Sequence, residues 1–386
     1  MITFANSQQP WQLALSFSLA VVLHEIVKEE THRMSQMLAE IRQQPAALDK
    51  TLSAELRATE RLKKYLTGKR PKFIVLAARG TSDNAAQFGR YLLEITTGIP
   101  VSLAAPSIHT LYGGSVDMRD ALVVAISQSG ESTDTNLVLE KAKAQGAFTI
   151  GITNEAASTL AKLAEHVFLV RAGREKSVAA TKTYTGQLLA LYMIAYALGA
   201  PVKIDDLRRV PDWTSKALKL DEAIRARAER YRFMDHAVVV GRGLNYANAF
   251  EFALKMMETC YVVAERFSSA DLMHGPIAMV GHSFPAFLFA PAGVTWQSTK
   301  EMIEKLRGLS AESLVITDQS NPEAQKAATK AIVIPARLEC KNAAPAELFT
   351  PIPYIIPAQL FAAHLAAIKG LNPDQPRTLS KVTKTM

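Results

Sequence analysis

The chain has 386 residues, 48% of them hydrophobic, and no low-complexity tract, so it can bury a large core and form two domains of ordinary size. Lys and Arg (44) exceed Asp and Glu (36) to give a formal charge of +8, but they are dispersed without dense runs or interleaved aromatics. That argues against a nucleic-acid partner and leaves a phosphorylated small molecule as a sufficient anion. Cys260 and Cys340 are the only cysteines and form no C-x-x-C, which suggests neither a disulfide scaffold nor a zinc site and suits a reducing cytoplasm.

Residues 1–33 hold the longest apolar run, WQLALSFSLAVVL (11 to 23). It is shorter than a membrane span and lacks a charged leader, so the expectation is an N-terminal extension, as an amphipathic helix or a poorly packed segment, and no membrane association. A domain is expected from about residue 34 to 200. In it FIVLAA (73 to 78), PVSLAA (100 to 105), ALVVAI (121 to 126), FTIGIT (148 to 153) and VFLV (167 to 170) are short apolar runs rich in β-branched residues. Longer amphipathic segments separate them, which predicts βαβ units and a parallel sheet covered on both faces. A helix over 183 to 200 and a charged helical connector over 201 to 232 follow.

The alternation restarts with AVVVGRG (237 to 243), SFPAFLFAP (283 to 291), SLVITD (313 to 318) and AIVIP (331 to 335), giving a second domain over 233 to 373 and a tail from 374 to 386. IVLAARGTSDNAAQFGRYLLE and VVVGRGLNYANAFEFALKMME align with one inserted residue. This weak internal repeat predicts an α/β chain of two doubly wound, parallel-sheet modules in tandem.

Directly after the third strand lies AISQSGESTDT (125 to 135). At a strand-to-helix junction, Ser127, Gln128, Ser129 and Ser132 around Gly130 would surround a helix N-terminus with hydroxyls, an arrangement suited to a phosphate monoester. The alternative is that Ser and Thr only cap the next helix. ARGTSDNA (78 to 85) and EKSVAATKT (175 to 183) repeat the pattern, which favours binding. No G-x-x-x-x-G-K-[ST] or G-x-G-x-x-G is present, disfavouring a nucleoside triphosphate or a dinucleotide.

Strand-GTS-helix, SQSGES-T, EKSVAATK, FALKMMETCYVVAERFSSADLMHGPIAMV (252 to 280) and DQPRTLSKVTKT (374 to 385) together resemble the sugar isomerase (SIS) family. Within it they are most similar to the isomerase half of the glutamine:fructose-6-phosphate amidotransferases. The resemblance implies phosphate and sugar binding by Thr81, Ser82, Ser127, Gln128, Ser129 and Ser132, with Val178 and Ala179 near the sugar. It implies that Glu258 moves a proton between C1 and C2, that His274 opens the ring from a partner subunit of a homodimer, and that Lys381 forms a Schiff base. Lys255 and Glu265 are expected as supporting partners. Without the family, Glu251, Lys255 and Glu258, spaced by four and three, read as an exposed ion-pair face, His274 as a structural histidine and Lys381 as a solvated tail residue. Lys381 would have to be neutral part of the time, through burial or the nearby Arg377 and Lys384.

The family's glutaminase domain, with its nucleophilic cysteine after the initiator Met, has no counterpart in this sequence, where Ile2 follows Met1. The expected activity is therefore glucosamine-6-phosphate deaminase: glucosamine 6-phosphate converted to fructose 6-phosphate and ammonia, with no metal or organic cofactor. The alternatives are a deglycase or deaminase for fructosamine 6-phosphate or galactosamine 6-phosphate, an ammonia-dependent synthase, and a non-catalytic sugar-phosphate sensor.

Overall fold

The computed structural model describes residues 35–339 and 345–381; the expectations for residues 1–33, Cys340 and Lys384 lie outside them. A helix, α1 (Gln44–Leu66), leads into the first sheet, built from β1 (Phe73–Ala77), β2 (Val101–Leu103), β3 (Ala121–Ile126), β4 (Phe148–Thr153) and β5 (His166–Leu169). All pairings are parallel and the spatial order is β2-β1-β3-β4-β5. Short helices at 204–207, 210–218 and 221–228 form the connector.

The second sheet contains β6 (His236–Gly241), β7 (Val263–Ser268), β8 (Pro285–Phe289), β9 (Glu312–Asp318) and β10 (Ala331–Ile334), in the order β10-β9-β8-β6-β7. Read from its other edge this is the order of the first sheet, so β6 corresponds to β1, β7 to β2 and β8 to β3. The repeat seen in the sequence is a repeat of topology, and the tandem α/β architecture is as expected.

One strand escaped the sequence reading. β7 is an edge strand of VAERFS with charged residues at its centre and four of its six positions not buried, so no apolar run marks it.

Each strand sends alternate residues to opposite faces. Ile74, Leu76, Leu122 and Val124 join a central core that also takes Val239, Phe287, Phe289 and Ile316 from the second sheet. Val75, Val123 and Val138 form a smaller layer outside the first sheet, and Val238, Leu288 and Val315 one outside the second. Helices α4 (Lys182–Ala197) and α7 (Pro351–Ile368) contribute to the shared core and are buried almost all round. The latter is long and apolar enough to cross a membrane, with mean hydropathy 1.4, yet 89% of it is buried inside the protein; it is a core helix. Helices α2 (Thr81–Thr97), α3 (Thr133–Ala144), α5 (Tyr246–Lys255) and α6 (Trp296–Gly308) follow β1, β3, β6 and β8.

Candidate active site

The carboxyl ends of β1 and β3 carry two polar loops. After β1, Gly80 adopts φ +57°, a conformation that suits glycine, and turns the chain into α2. After β3, Gly130 (φ +67°) makes the corresponding bend, and a Cβ there would stand 2.2 Å from Ser158 Oγ. The Arg79 guanidinium donates to Asp134 Oδ2 at 2.9 and 3.1 Å, tying the first loop to the helix that begins after the second.

Inside the β3 loop, Gly130 N–H donates to Ser127 Oγ (3.1 Å), Glu131 N–H to Ser129 Oγ (3.3 Å), and Ser132 Oγ lies 3.1 Å from Thr135 Oγ1. Asn154 N–H donates to the Gln128 carbonyl at 3.1 Å. Ser82 Oγ accepts from Gln187 Nε2 at 2.9 Å. Neither Gly80, Ser132 nor Thr181, the N-cap positions of α2, α3 and α4, makes a side-chain cap, whereas Ser158 and Ser268 do cap their short helices. The serine hydroxyls of these loops are therefore engaged with groups in and beside the loops rather than as N-caps of α2, α3 and α4.

The second module brings a charged cluster to the first loop. Thr81 Oγ1 accepts from Lys255 Nζ at 3.1 Å and lies 3.3 Å from Glu251 Oε1; Asn84 Nδ2 donates to Glu251 Oε2 at 2.7 Å. Lys255 Nζ is 2.6 Å from Glu258 Oε2 and 3.4 Å from Glu251 Oε1. The side chains of Glu251 and Lys255 are wholly buried, while that of Glu258 keeps 24% exposure. The exposed ion-pair face suggested by spacing is thus corrected: this face of α5 packs against the first module, where water cannot separate the charges.

Burial pushes the Glu251 carboxyl up to about 7, against the pull of Lys255 and Asn84. Burial also works against the charge on Lys255, but Glu251 and Glu258 outweigh it and hold the ammonium well above its ordinary value. Glu258 lies in a single π-helical turn, Met256–Cys260, closed by Tyr261 at φ +55°. Such widened turns recur at functional sites.

The tail approaches from another side. Lys381 Nζ donates to Glu175 Oε2 at 3.1 Å and to the Ser177 carbonyl at 2.6 Å. Glu175 is buried, a circumstance that opposes its charge, yet Lys381 and the donors of Thr181 and Thr183 hold its carboxyl below the usual range. The expectation that Arg377 faces Lys381 is not met. Arg377 lies over the Tyr261 ring, 4.2 Å from its centroid, and its N–H donates to Tyr261 Oη at 2.9 Å; the neighbour of Lys381 is an anion. Val178 N–H donates to the Asp374 carbonyl at 3.1 Å, and Ala179 is buried.

Two expected residues stand apart from the cluster. His274 is exposed at the end of a short helix, Ser269–Met273, with its backbone N–H on Ala270 and Asp271. Glu265 sits on the edge strand β7 with a half-exposed carboxylate 3.8 Å from Arg266. Sequence reasoning gave no role to Glu175, Asn84 or Gln187. The signal for Glu175 was a lone acid within a run of small and hydroxyl residues that the fold buries.

The SIS domain family matches this chain over residues 69–197 and 232–369, the two sheets and their helices. The glutamine–fructose-6-phosphate aminotransferase (isomerizing) of Methanothermobacter thermautotrophicus is 33% identical over 354 residues, covering 89% of this chain and 56% of the relative. That of Pyrococcus horikoshii is 34% identical over 352 residues, 89% and 57% respectively; the chain spans a little over half the length of these relatives. The C-terminal domain of glucosamine-fructose-6-phosphate aminotransferase from Francisella tularensis superposes with a TM-score of 0.78 at 30% identity, covering 89% of this chain and 99% of that one. Glucosamine-6-phosphate deaminase from Thermotoga maritima, at 22% identity and a TM-score of 0.70 over 91% and 100%, shares the fold. With two matched modules covering most of its length, the chain belongs to the SIS domain family.

Proposed function

We propose that the protein is an aminosugar-phosphate isomerase that deaminates glucosamine 6-phosphate to fructose 6-phosphate and ammonia. The observation that carries this reading is the junction at Thr81, where the turn after β1 is hydrogen-bonded at 3.1 Å to the ammonium that also holds Glu258 at 2.6 Å. A phosphate seated among the Ser127–Ser132 and Gly80–Ser82 amides and hydroxyls leaves the other end of a hexose to reach the partly exposed Glu258.

Glu258 removes the proton from C2 of the open-chain sugar and returns it to C1, converting the aldehyde-bearing amine through an enolamine to a C2 imine. The Lys255 ammonium stabilises the negative charge that develops on the C1 oxygen. Water adds to the imine and ammonia leaves, so that one water is consumed for each ammonia released. His274, exposed on its own chain, is suited to act in a partner's site as the ring-opening group, which makes the working unit a homodimer. Lys381 is the amine that can hold the ketose covalently, once it parts from Glu175.

The test is incubation of the purified protein with glucosamine 6-phosphate, its N-acetyl and galacto counterparts and fructosamine 6-phosphate, following ammonia and the ketose phosphate. Release from glucosamine 6-phosphate is the expected result. Release from fructosamine 6-phosphate alone makes the protein a deglycase, and binding without turnover on any of the four makes it a sensor.

A further inference from the structure

The matching topology of the two modules allows their loops to be compared position by position. After β3 the chain runs Ser127-Gln128-Ser129-Gly130-Glu131-Ser132 into α3; after β8 it runs Ala290-Pro291-Ala292-Gly293-Val294-Thr295 into α6. Both loops have a glycine of positive φ at the fourth place (Gly130 +67°, Gly293 +137°) and a hydroxyl residue at the last. The turns after the first strands also correspond, with Gly80 and Gly243 both at φ +57°. The second module has lost the serines, keeps the first bend at the same φ, and keeps a glycine of positive φ, though of a different conformation, at the second.

A carboxylate lies between those two bends. Glu347 Oε2 accepts from Thr295 N–H at 3.3 Å and from Thr295 Oγ1 at 3.0 Å. A Cβ on Gly293 would stand 2.3 Å from Oε2, and one on Gly243 3.6 Å from Oε1. Glu347 is 2% exposed, and among the described residues no Lys, Arg or His pairs with it. Burial raises its carboxyl above the ordinary range and Thr295 offsets this in part. An isolated carboxylate is costly to bury unless donors meet it, and here they are those of a 13-residue helix N-terminus. Glu347 also belongs to the segment leading into α7, as Val178 and Ala179 belong to the segment leading into α4.

We propose that the second module retains an anion site of the same build as the first, that the Glu347 carboxylate fills it from within the chain, and that removing this carboxylate opens it to inorganic phosphate or a phosphate monoester. The internal occupant, rather than a lost shape, then limits each chain to one sugar phosphate. The proposal goes beyond the deaminase reading and rests on that reading's assignment of the first cradle to phosphate, though not on the reaction catalysed.

The experiment uses the full chain carrying Ser127→Ala and Ser129→Ala to silence the first cradle, with inorganic phosphate as the probe and calorimetry and thermal melting as readouts. Adding Glu347→Ala is expected to create saturable binding of one phosphate per chain with a matching rise in Tm. Glu347→Gln, which keeps the space filled, is expected to create none. A further Thr295→Val is expected to weaken the new binding at least about tenfold, in line with a lost hydrogen bond to a charged group. A folded Glu347→Ala protein that binds no more phosphate than Glu347→Gln overturns the proposal, as does new binding that ignores Thr295→Val. Should Glu347→Ala fail to fold in plain buffer, folding restored by phosphate or sulfate reports the same site, and failure with both anions refutes it.

Discussion

Replacing Lys255 with methionine tests the charged junction most directly. Its ammonium is wholly buried and lies 2.6 Å from Glu258, 3.4 Å from Glu251 and 3.1 Å from Thr81 Oγ1, and methionine keeps the volume without the charge. Breaking a buried pair from one side costs about 3–5 kcal/mol, because the surviving charge stays desolvated. The survivor here is Glu251, whose carboxyl stands at about 7 even with Lys255 beside it, and loss of the cation moves it further up. The folded-state pKa then exceeds the unfolded value of about 4.5, so the folded protein binds the extra proton and stability falls as pH rises above that value. Because the parent carboxyl itself ionises at about 7, the two proteins diverge only above that pH, by about 1.36 kcal/mol per pH unit; urea denaturation of Lys255→Met and the parent is therefore expected to differ little at pH 5 and by up to about 2 kcal/mol at pH 8.5. A loss of equal size at both pH values, or below about 1 kcal/mol at pH 8.5, would refute the argument. Adding Glu251→Gln should return much of the loss at high pH, since the two residues form one network.

Glu258→Gln should keep phosphate-dependent substrate binding and lose exchange of the C2 hydrogen with solvent by about 10²–10⁴-fold, the usual worth of a positioned base; exchange at the parental rate, followed by NMR in deuterated water, removes Glu258 from that role. Gly130→Ala forces a side chain onto a left-handed backbone and within 2.2 Å of Ser158 Oγ, so a destabilisation of about 1–3 kcal/mol and weaker sugar-phosphate binding are expected by denaturation and calorimetry. Mixing inactive His274→Ala and Glu258→Gln proteins should restore part of the activity if sites are shared across a dimer, and none if each chain completes its own site. Glu175→Gln should leave the Lys381 amine with the Ser177 carbonyl as its remaining partner, seen as faster modification by an amine reagent at fixed pH; an unchanged rate would show that the ion pair does not restrain it.

The strands of both modules were legible because parallel strands buried on both faces must be apolar throughout, and nine of the ten carry such a run. β7 hid because, at an edge where burial is not required on both faces, its sequence VAERFS places charges at its centre. The polar loops were visible as clusters of Ser and Thr after strands, where the open-sheet rule locates ligands. The environment of each charge was not visible. The spacing of Glu251, Lys255 and Glu258 established a shared helix face, but whether that face meets water or a second module depends on packing that no local pattern records. The same holds for Lys381, whose carboxylate partner lies 206 positions earlier, and for Glu347, whose meaning appears only when the two modules are overlaid.

The π turn explains how one helix face can be both a buried ion network and a reactive edge. On a regular α-helix, residues spaced by four and three stay on one stripe, and Glu258 would be drawn toward the same depth as Glu251 and Lys255. From Met256 the backbone bonds to the fifth residue instead of the fourth, so the chain rotates less per residue and Glu258 lags behind the stripe. The result is the observed gradient, in which Glu251 and Lys255 are sealed while Glu258 keeps 24% exposure and still lies within 2.6 Å of the ammonium. The role proposed for Glu258 calls for both conditions, contact with a ligand that arrives from solvent and a fixed cation alongside. Tyr261, in a left-handed conformation at the end of the turn, then stops the helix and presents its ring and hydroxyl to Arg377. The same local irregularity that exposes Glu258 therefore anchors the tail that carries Lys381.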